Sequence, residues 1–359
     1  MDIASSRSGS PRPGGLPDPT PLYRLRDGVY APDLLVAVVA ELDLFSVAVA
    51  EGPVTVAGLC ARLALSPRPA DVMITYLAAL GLLRRLPGDR VEVTGLARAH
   101  LTAGNPHDLR PYFASLRERP AAAELVRVLR TGEPAAWSSA TPGTDADWVG
   151  RLHDPAFARQ ITAAMDARGA FLGPALADAV ADLPVADLPA AAVLDVGGGS
   201  GSYACALADR LPGTRAAVLE RPPVDAAARA LLADRGYAQR VSVLSGDMFG
   251  AVPGGYDLHL YSHVLHDWGE DQVRHLLRAS FRALPPGGWL VDHDVHVNEE
   301  KTGPLPAAEY SVLLMHSTPG KCWSTGELGE MLRGCGFEVI AVRQTAGDRS
   351  ALIARKPLP

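Results

Sequence analysis

Residues 193–202, VLDVGGGSGS, form the stretch around which the second half of the chain is organised. A short apolar run leads into it and ends at Asp195. Three glycines follow at alternate positions: Gly197, Gly199 and Gly201. Glycines let a ligand approach the backbone closely, and the N–H groups at a helix N-terminus favour polar or negatively charged ligand groups. Because residues 203–208 have the composition of a helix, the stretch predicts a strand, a ligand-binding turn and a helix.

Composition excludes several classes of protein. The 359 residues are 48% hydrophobic and 21% charged, so the chain can bury substantial cores and has the length of about two domains. A net charge of −6 argues against nucleic acid or an anionic membrane as the main partner. No run approaches the ~18 apolar residues of a membrane span, and the first residues lack the apolar core of a signal peptide. Four scattered cysteines indicate reduced thiols, so we expect a cytoplasmic protein.

The first third of the chain predicts a tail followed by a winged helix. Residues 1–20 are rich in Ser, Pro and Gly, which predicts disorder. Helical segments at 55–63 and 70–83 and a small hairpin at 86–94 have the outline of a winged helix, which we assign to a domain spanning 21–105. Such a module binds DNA or serves in dimerisation. The second helix carries no Arg or Lys to reach bases or phosphates, which favours dimerisation.

The rest of the chain shows two patterns, one after the other. Residues 106–190 indicate helices broken by Pro and Gly, and we expect this connector to line a substrate pocket. Within 191–359, short apolar runs alternate with helical segments, and two final runs at 337–342 and 350–354 suit an antiparallel edge. This predicts an α/β, Rossmann-like domain whose ligand lies at the carboxyl ends of the parallel strands.

Residues at these strand ends suit a nucleoside ligand. Glu220 ends the second strand, where a carboxylate can accept both ribose hydroxyls. Asp247 follows the third strand and can accept from an adenine amino group, while Met248 and Phe249 pack on the ring. Ser262, at the end of the fourth strand, completes the set. The spacing G-x-G-x-G, without Lys or Arg in the turn, disfavours a phosphate-bearing dinucleotide.

These motifs resemble those of S-adenosylmethionine (SAM)-dependent O-methyltransferases of plant phenolic and bacterial natural-product pathways. Besides the glycine-rich turn, the resemblance rests on four segments: ERPPV at 220–224, GDMF at 246–249, HVLHDW at 263–268 and PGG at 286–288. It implies that Asp195 and the glycines hold the amino-acid end of SAM. It also implies an intertwined homodimer, formed through the winged-helix domain, and His266 as the general base.

One interpretation of the reacting end is metal-free O-methylation of a phenol or hydroxyl. Methyl transfer requires that the enzyme align the nucleophile and remove its proton, and a histidine suits this task near neutral pH. The next residue, Asp267, is expected to cap the following helix together with Glu270. Asp294 stands where the plant enzymes have one of the two glutamates that flank the base, so we include Asp267 and Asp294 with His266 as candidate catalytic residues.

Departures from the plant pattern favour a different reaction. Cys322 stands at the position of the second glutamate, and His263 lies three residues before His266. With His316, three histidines can converge on one pocket, and three imidazoles suit Zn²⁺ or Fe. This set resembles a smaller branch of the family, the α-keto acid C-methyltransferases, some of which hold a metal.

The main prediction from the sequence is therefore metal-assisted C-methylation next to the ketone of an α-keto acid. A metal would chelate the carboxylate and keto oxygen of this small acceptor and stabilise the enolate. Arg151 or Arg168 would hold the carboxylate, and Met165 and Cys322 complete the expected substrate site. Metal-free O-methylation stays open as the alternative. A winged-helix regulator that binds DNA is a third hypothesis, from a different class.

Overall fold

The computed structural model describes residues 16–50, 52–135, 148–184, 191–211 and 213–359. The predicted disordered tail lies outside the described residues as far as residue 15, and the first helix begins at Thr20. The part of the chain that the structure describes contains no helix long and apolar enough to cross a membrane. The cytoplasmic location stays a prediction.

The N-terminal part is helical with a small sheet. Its first elements are α1 (Thr20–Asp27), α2 (Ala31–Val36), a π-helical turn (Ala37–Glu41) and α3 (Leu44–Val49). They are followed by β1 (Val54–Thr55), α4 (Val56–Leu63), α5 (Pro67–Ala79), β2 (Leu83–Leu86) and β3 (Arg90–Val93). The three strands pair in the order β1-β3-β2, which is the winged-helix outline that the sequence predicts. Thr55 caps α4 by accepting a hydrogen bond from Gly58 N at 3.1 Å.

The second helix of this module begins earlier than predicted and does carry a basic residue in its first turn. Arg68 donates 2.8 Å hydrogen bonds to the carbonyl oxygens of Gly320 and Gly132 and a longer one to Thr318 O. The guanidinium therefore joins the winged helix to the C-terminal part of the same chain, instead of facing outward as a phosphate contact would.

Among the residues that the structure describes, five helices connect this module to the large sheet. They are α6 (Gly95–His100), α7 (Arg110–Ala114), α8 (Pro120–Thr131), α9 (Trp148–Arg151) and α10 (Pro155–Val180). The long α10 begins after Asp154, whose carboxylate accepts from Ala156 N at 2.9 Å, with a proline in its first turn. It approaches the next helix so closely that a Cβ at Gly169 would collide with the side chain of Ser202. This close packing places one face of α10 over the glycine-rich turn.

The C-terminal domain is a seven-stranded mixed sheet with helices on both faces. Its strands are β4 (Ala192–Val196), β5 (Arg215–Glu220), β6 (Val241–Ser245), β7 (Leu258–Ser262), β8 (Trp289–Asp294), β9 (Glu338–Gln344) and β10 (Ser350–Arg355). Its helices are α11 (Ser202–Arg210), α12 (Val224–Asp234), α13 (Glu270–Ala283), α14 (Leu305–Ser317) and α15 (Thr325–Gly334). The order is β6-β5-β4-β7-β8-β10-β9, and β10 runs antiparallel to both of its neighbours. The predicted Rossmann-like fold with an antiparallel edge is therefore confirmed.

A buried ion pair ties α1 to the end of the sheet. Arg349 Nη2 donates to Asp27 Oδ2 at 2.7 Å, and the two side chains are 2% and 9% exposed. Nearby, Arg24 pairs with Asp348 at the same distance, but its side chain is half exposed. The first pair lies in a low-dielectric setting, whereas water screens the second.

We expect these two pairs to differ sharply in their contribution to stability. Asp27→Ala leaves a buried guanidinium without its carboxylate and should lower the free energy of unfolding by about 3–5 kcal/mol. The matched change Arg24→Ala breaks the exposed pair and should cost about 0–1 kcal/mol. Urea unfolding of both variants, followed by circular dichroism, measures the difference. Equal losses would show that α1 is not anchored by its buried charge.

Candidate active site

A cavity opens at the carboxyl ends of β4 and β7, where the strand order of the sheet reverses. Predicted residues from both the cofactor end and the reacting end line this cavity. They are Gly197, Gly199, Glu220, Asp247, Met248, Phe249, Ser262, His263, His266, Asp267, Met165 and Arg168. The predicted residues that do not line it are Asp195, Gly201, Asp294, Arg151, Cys322 and His316. The first set spans four strand ends and α10, so only the folded chain brings it together.

The glycine-rich turn forms one wall of the cavity. Gly199 has φ of 54°, and a Cβ placed there would meet nothing within 4 Å, so its backbone faces open space. Gly201 also has positive φ, but a Cβ there would press against Val218 and Leu232 at 3.1 and 3.2 Å. Gly199 therefore keeps the cavity wall bare, while Gly201 allows α11 to pack on the sheet.

Asp195 lies behind this wall. It is completely buried, and neither carboxylate oxygen has a hydrogen-bond partner among the described residues. Burial and the nearby charge of Glu220 raise the pKa of Asp195 to about 7. Its predicted contact with a cofactor is therefore not direct in this conformation. The carboxylate is, however, an unsatisfied acceptor beside the site.

Two carboxylates hold the loops around the cofactor end. Glu220 accepts hydrogen bonds from Gly199 N at 3.2 Å and Arg221 N at 2.9 Å, which joins the second strand to the glycine-rich turn. Asp247 accepts from Phe249 N at 2.9 Å. The Phe249 ring contacts Trp268 edge to face, with centroids 4.7 Å apart. These contacts shape the apolar slot in which an adenine ring would pack.

His266 and Asp294 form a buried pair at the other end. His266 Nδ1 lies 2.7 Å from Asp294 Oδ1, which fixes the tautomer so that Nδ1–H donates and Nε2 carries the lone pair. Burial lowers the pKa of His266, but the carboxylates of Asp294 and Asp267 outweigh burial and raise it above its ordinary value. Asp294 does not line the cavity and acts on it through His266 and His263, which do, so we class it as a positioning residue.

Asp267 does not cap the following helix, which corrects the sequence-based prediction. Helix α13 begins at Glu270 with Gly269 as its N-cap, and Asp267 lies in the preceding 3₁₀ turn, Leu265–Asp267. Its Oδ1 is 3.5 Å from His266 Nε2, and burial raises its pKa to about 6. The carboxylate is thus free to face the cavity beside the base.

His263 is buried next to this pair. Its backbone has φ of 56°, which is uncommon for a residue with a side chain, and such conformations concentrate at functional sites. Its Nδ1 lies 3.3 Å from Asp294 Oδ1. One ligand atom from each of His263, His266 and Asp294 lies within 4.8 Å of the others. Three donors of this type suit a transition metal.

His316 does not join these histidines, so the predicted three-histidine set is wrong. It stacks on Tyr30 with centroids 3.9 Å apart, and its Nε2 lies 3.1 Å from Glu124 Oε2. His316 lies at the end of α14, beyond Leu313 and Leu314, which line the cavity, and its ring packs against Tyr30 and Glu124 instead.

Two other predicted substrate residues also lie elsewhere. Cys322 is buried in a separate apolar cluster, and its backbone N–H donates to Ser311 Oγ at 3.1 Å. Arg151 stacks over the ring of Phe157 at 4.3 Å. Met165 and Arg168 do line the cavity, because α10 lies over the glycine-rich turn. Sequence reasoning missed Tyr203 and Tyr310, which line it as well.

The segment that follows α14 supports His266 from behind. A Cβ on Gly320 would stand 2.0 Å from the carbonyl oxygen of His266, so the two backbones are in direct contact. Trp323 Nε1 donates to Leu265 O at 3.1 Å. Glycine is required here for close packing, a role that its sequence neighbours do not reveal.

Comparison with known proteins gives one consistent result. Residues 123–338 match the family described as "O-methyltransferase domain". The 3-hydroxy-5-methyl-1-naphthoate 3-O-methyltransferase of Streptomyces sahachiroi is 30% identical over 363 residues, 97% of this chain and 98% of that protein. An O-methyltransferase family 2 protein from Planctomyces limnophilus, crystallised with apigenin, has 30% identity and a TM-score of 0.82 over 95% of this chain and 96% of its own.

A third structure bears on the cofactor. PigF, which carries the name of a SAM-dependent methyl transferase in Serratia sp., has been solved with SAH. It has 28% identity to this chain and a TM-score of 0.57, over 94% of this chain and 97% of its own. Structural neighbours of this chain therefore bind SAM or its demethylated product.

The pairing of His266 with Asp294 predicts a specific titration. Because the carboxylates raise the pKa of His266, its imidazole should take up a proton with a midpoint above 6.5 as pH falls. Asp294→Asn removes the nearer negative charge, so the midpoint should move to lower pH. Asp348→Asn, which changes a carboxylate on the outside of the molecule, should leave it in place. Nuclear magnetic resonance of labelled imidazoles measures all three, and an unmoved midpoint in Asp294→Asn would contradict the pairing.

Proposed function

The chain belongs to the O-methyltransferase domain family and is a SAM-dependent methyltransferase, and we propose that it methylates a hydroxyl oxygen of a small natural-product acceptor. The observation that carries the proposal is His266, which faces the same cavity as the glycine-rich turn and is oriented by Asp294. The relative from Streptomyces sahachiroi is named for transfer to a hydroxyl of an aromatic acid, which supports the same chemistry here.

The cofactor end has the donors and acceptors that SAM needs. Bare backbone at Gly199 and the unpartnered hydroxyl of Ser262 leave polar groups that a bound amino acid can satisfy, while the carboxylate of Asp195 lies behind the glycine-rich turn. Glu220 can accept from ribose hydroxyls, and Asp247 can accept from the adenine amino group. When bound, SAM supplies a methyl group on a sulfonium that is already a good leaving group.

The reacting end supplies base catalysis. His266 Nε2 takes the proton of the acceptor hydroxyl, and the carboxylate of Asp294 stabilises the imidazolium that results. The side chains of Met165, Leu313 and Leu314 give this end an apolar wall that excludes water from the acceptor. Because His266 must be neutral to accept a proton, the rate should rise with pH through its raised pKa.

The comparisons favour O-methylation over the α-keto acid C-methylation that the sequence preferred. The relatives are named as O-methyltransferases, which favours the alternative that the sequence left open. The predicted Fe or Zn finds no support in the comparisons, and its third ligand, His316, packs against Tyr30 and Glu124 instead. One observation still favours metal-assisted C-methylation as a second candidate, namely the cluster of His263, His266 and Asp294.

We also propose that the domain spanning 21–105 forms a homodimer. Large apolar side chains are exposed on this domain (Leu22, Leu25, Val29 and Leu96) and at the start of the connector that follows it (Leu109, Tyr112 and Leu116). Exposed apolar surface of this kind marks protein interfaces. Arg68, the basic residue at the start of the second winged-helix helix, donates to backbone carbonyl oxygens of the same chain. It is therefore not available to contact a DNA phosphate.

Replacing the base tests the reaction. His266→Gln should lower kcat for a hydroxyl acceptor by about 10²–10⁴-fold, because it removes the group that is positioned to accept the proton, and should leave the Kd for SAM unchanged. His107→Gln changes an exposed histidine and should have no effect. A radiolabelled methyl-transfer assay with a panel of phenols measures both. Unchanged turnover in His266→Gln would refute the assigned role.

The same assay separates the two candidate functions. Elemental analysis of protein purified without a metal-affinity tag measures the bound metal. O-methyl transfer should not change when the same protein is treated with a chelator. Stoichiometric metal, loss of activity with chelator, and methylation of α-keto acids but not of phenols would replace the first candidate with the second.

Light scattering tests the dimer. The purified protein should have the mass of two chains, and Leu25→Asp or Tyr112→Asp should shift it toward one chain, because a charge at an apolar interface is costly. Ile340→Asp, at an exposed apolar residue of β9, is the matched control and should stay dimeric. A dimer that persists in both N-terminal variants would place the interface elsewhere.

A further inference from the structure

We propose that Arg168 binds a carboxylate of the methyl acceptor, so that the enzyme selects acidic acceptors over their neutral analogues. This proposal rests on the methyl-transfer function and assigns the substrate class of that site. It also chooses between the two arginines that the sequence offered, since Arg151 stacks on Phe157 outside the cavity.

Arg168 is a cation without a partner in the wall of the cavity. It projects from α10 beside Met165, and its Nε is buried with no hydrogen-bond acceptor. Within the ranges that the structure describes, no carboxylate forms an ion pair with it. By contrast, Arg349 is paired with Asp27 and Arg68 is bound to backbone carbonyls, although the Nε of Arg349 also lacks an acceptor. An anionic ligand would supply the buried Nε of Arg168 with the acceptor that it lacks.

The position of Arg168 points to the reacting end of the cavity. Arg168 lines the same cavity as His263, His266 and Asp267, and its positive charge is among those that act on these three groups. The rings of Tyr203 and Tyr310 line the same region. The guanidinium of Arg168 can form two parallel hydrogen bonds with the carboxylate of an aromatic or α-keto acid. An acid bound in this way would have its reacting atom near His266.

A competing anion is the carboxylate at the amino-acid end of SAM. Arg168 is adjacent in sequence to Gly169, which packs against Ser202 at the start of α11. The bare backbone of the glycine-rich turn and the first N–H groups of α11 already suit that carboxylate, without a side chain. We therefore assign Arg168 to the acceptor, and the experiment measures both anions.

Calorimetry on the protein saturated with SAH tests the assignment without turnover. The probes are hydroxybenzoates, hydroxynaphthoates and phenylpyruvate, each compared with its methyl ester, so that hydroxyaryl acids and α-keto acids form separate arms. At least one acid should bind about tenfold or more tightly than its ester. Arg168→Gln should abolish this preference, Arg168→Lys should retain part of it, and the Kd for SAH should not change in either variant. Arg159→Gln, at an exposed arginine of the same helix, should behave like the native protein.

Two results would overturn the proposal. One is equal affinity for acids and esters in the native protein across both arms. The other is a loss of SAH affinity in Arg168→Gln with the acid preference intact, which would assign the guanidinium to the cofactor. If Arg168→Gln fails to fold, the acid-to-ester ratio in Arg168→Lys decides, since an unchanged ratio contradicts the proposal. An intact acid preference without methyl transfer to any probe would count against the proposed function and not against this subsite.

Discussion

Asp294 ends β8 with its Oδ1 atom 2.7 Å from His266 Nδ1, and the architecture of the reacting end follows from the burial of this charge. The same oxygen accepts from Val295 N at 2.7 Å and lies 3.3 Å from His263 Nδ1. Burial opposes ionisation, but the neighbouring imidazoles hold the pKa of Asp294 well below its usual range. A charge that is buried and paired in this way can orient a base rigidly, because it has no alternative partner in water.

The rigidity of this pair depends on contacts from the other domain. Gly320 packs on the backbone of His266, and Arg68 of the winged helix holds the same segment through its carbonyl oxygens. Beside it, Lys321 bridges Asp71 of the winged helix and Glu327 of α15 at 2.6 Å each. Burial alone would raise the pKa of Asp71, yet Lys321 and its neighbours lower it, so the cluster stays charged. The two domains are therefore coupled through the loop that supports the base.

The cofactor end was largely predictable because its signals are local. A glycine-rich turn, a carboxylate at a strand end and an aspartate after the next strand each encode their own backbone surroundings. Where prediction failed, the conformation of the backbone around the residue decided the outcome. Asp267 follows the capping rule in sequence, but the 3₁₀ turn ends at Asp267 and α13 starts at Glu270, so the carboxylate faces the cavity instead. Asp195 fits the motif, but the turn folds over it and buries it completely.

The sequence alone determined the sheet, its antiparallel edge, the winged helix and the class of cofactor, because these depend on periodicity and on short motifs read along one element. The tertiary structure decided which side chains share the cavity. His316 and Cys322 lie near the base in the chain and Arg168 lies about 100 residues before it, yet only Arg168 reaches the cavity. The physical reason is direction. A helix turns each side chain by about 100° per residue, so the face that meets the site depends on how α10 and α14 pack and not on their composition.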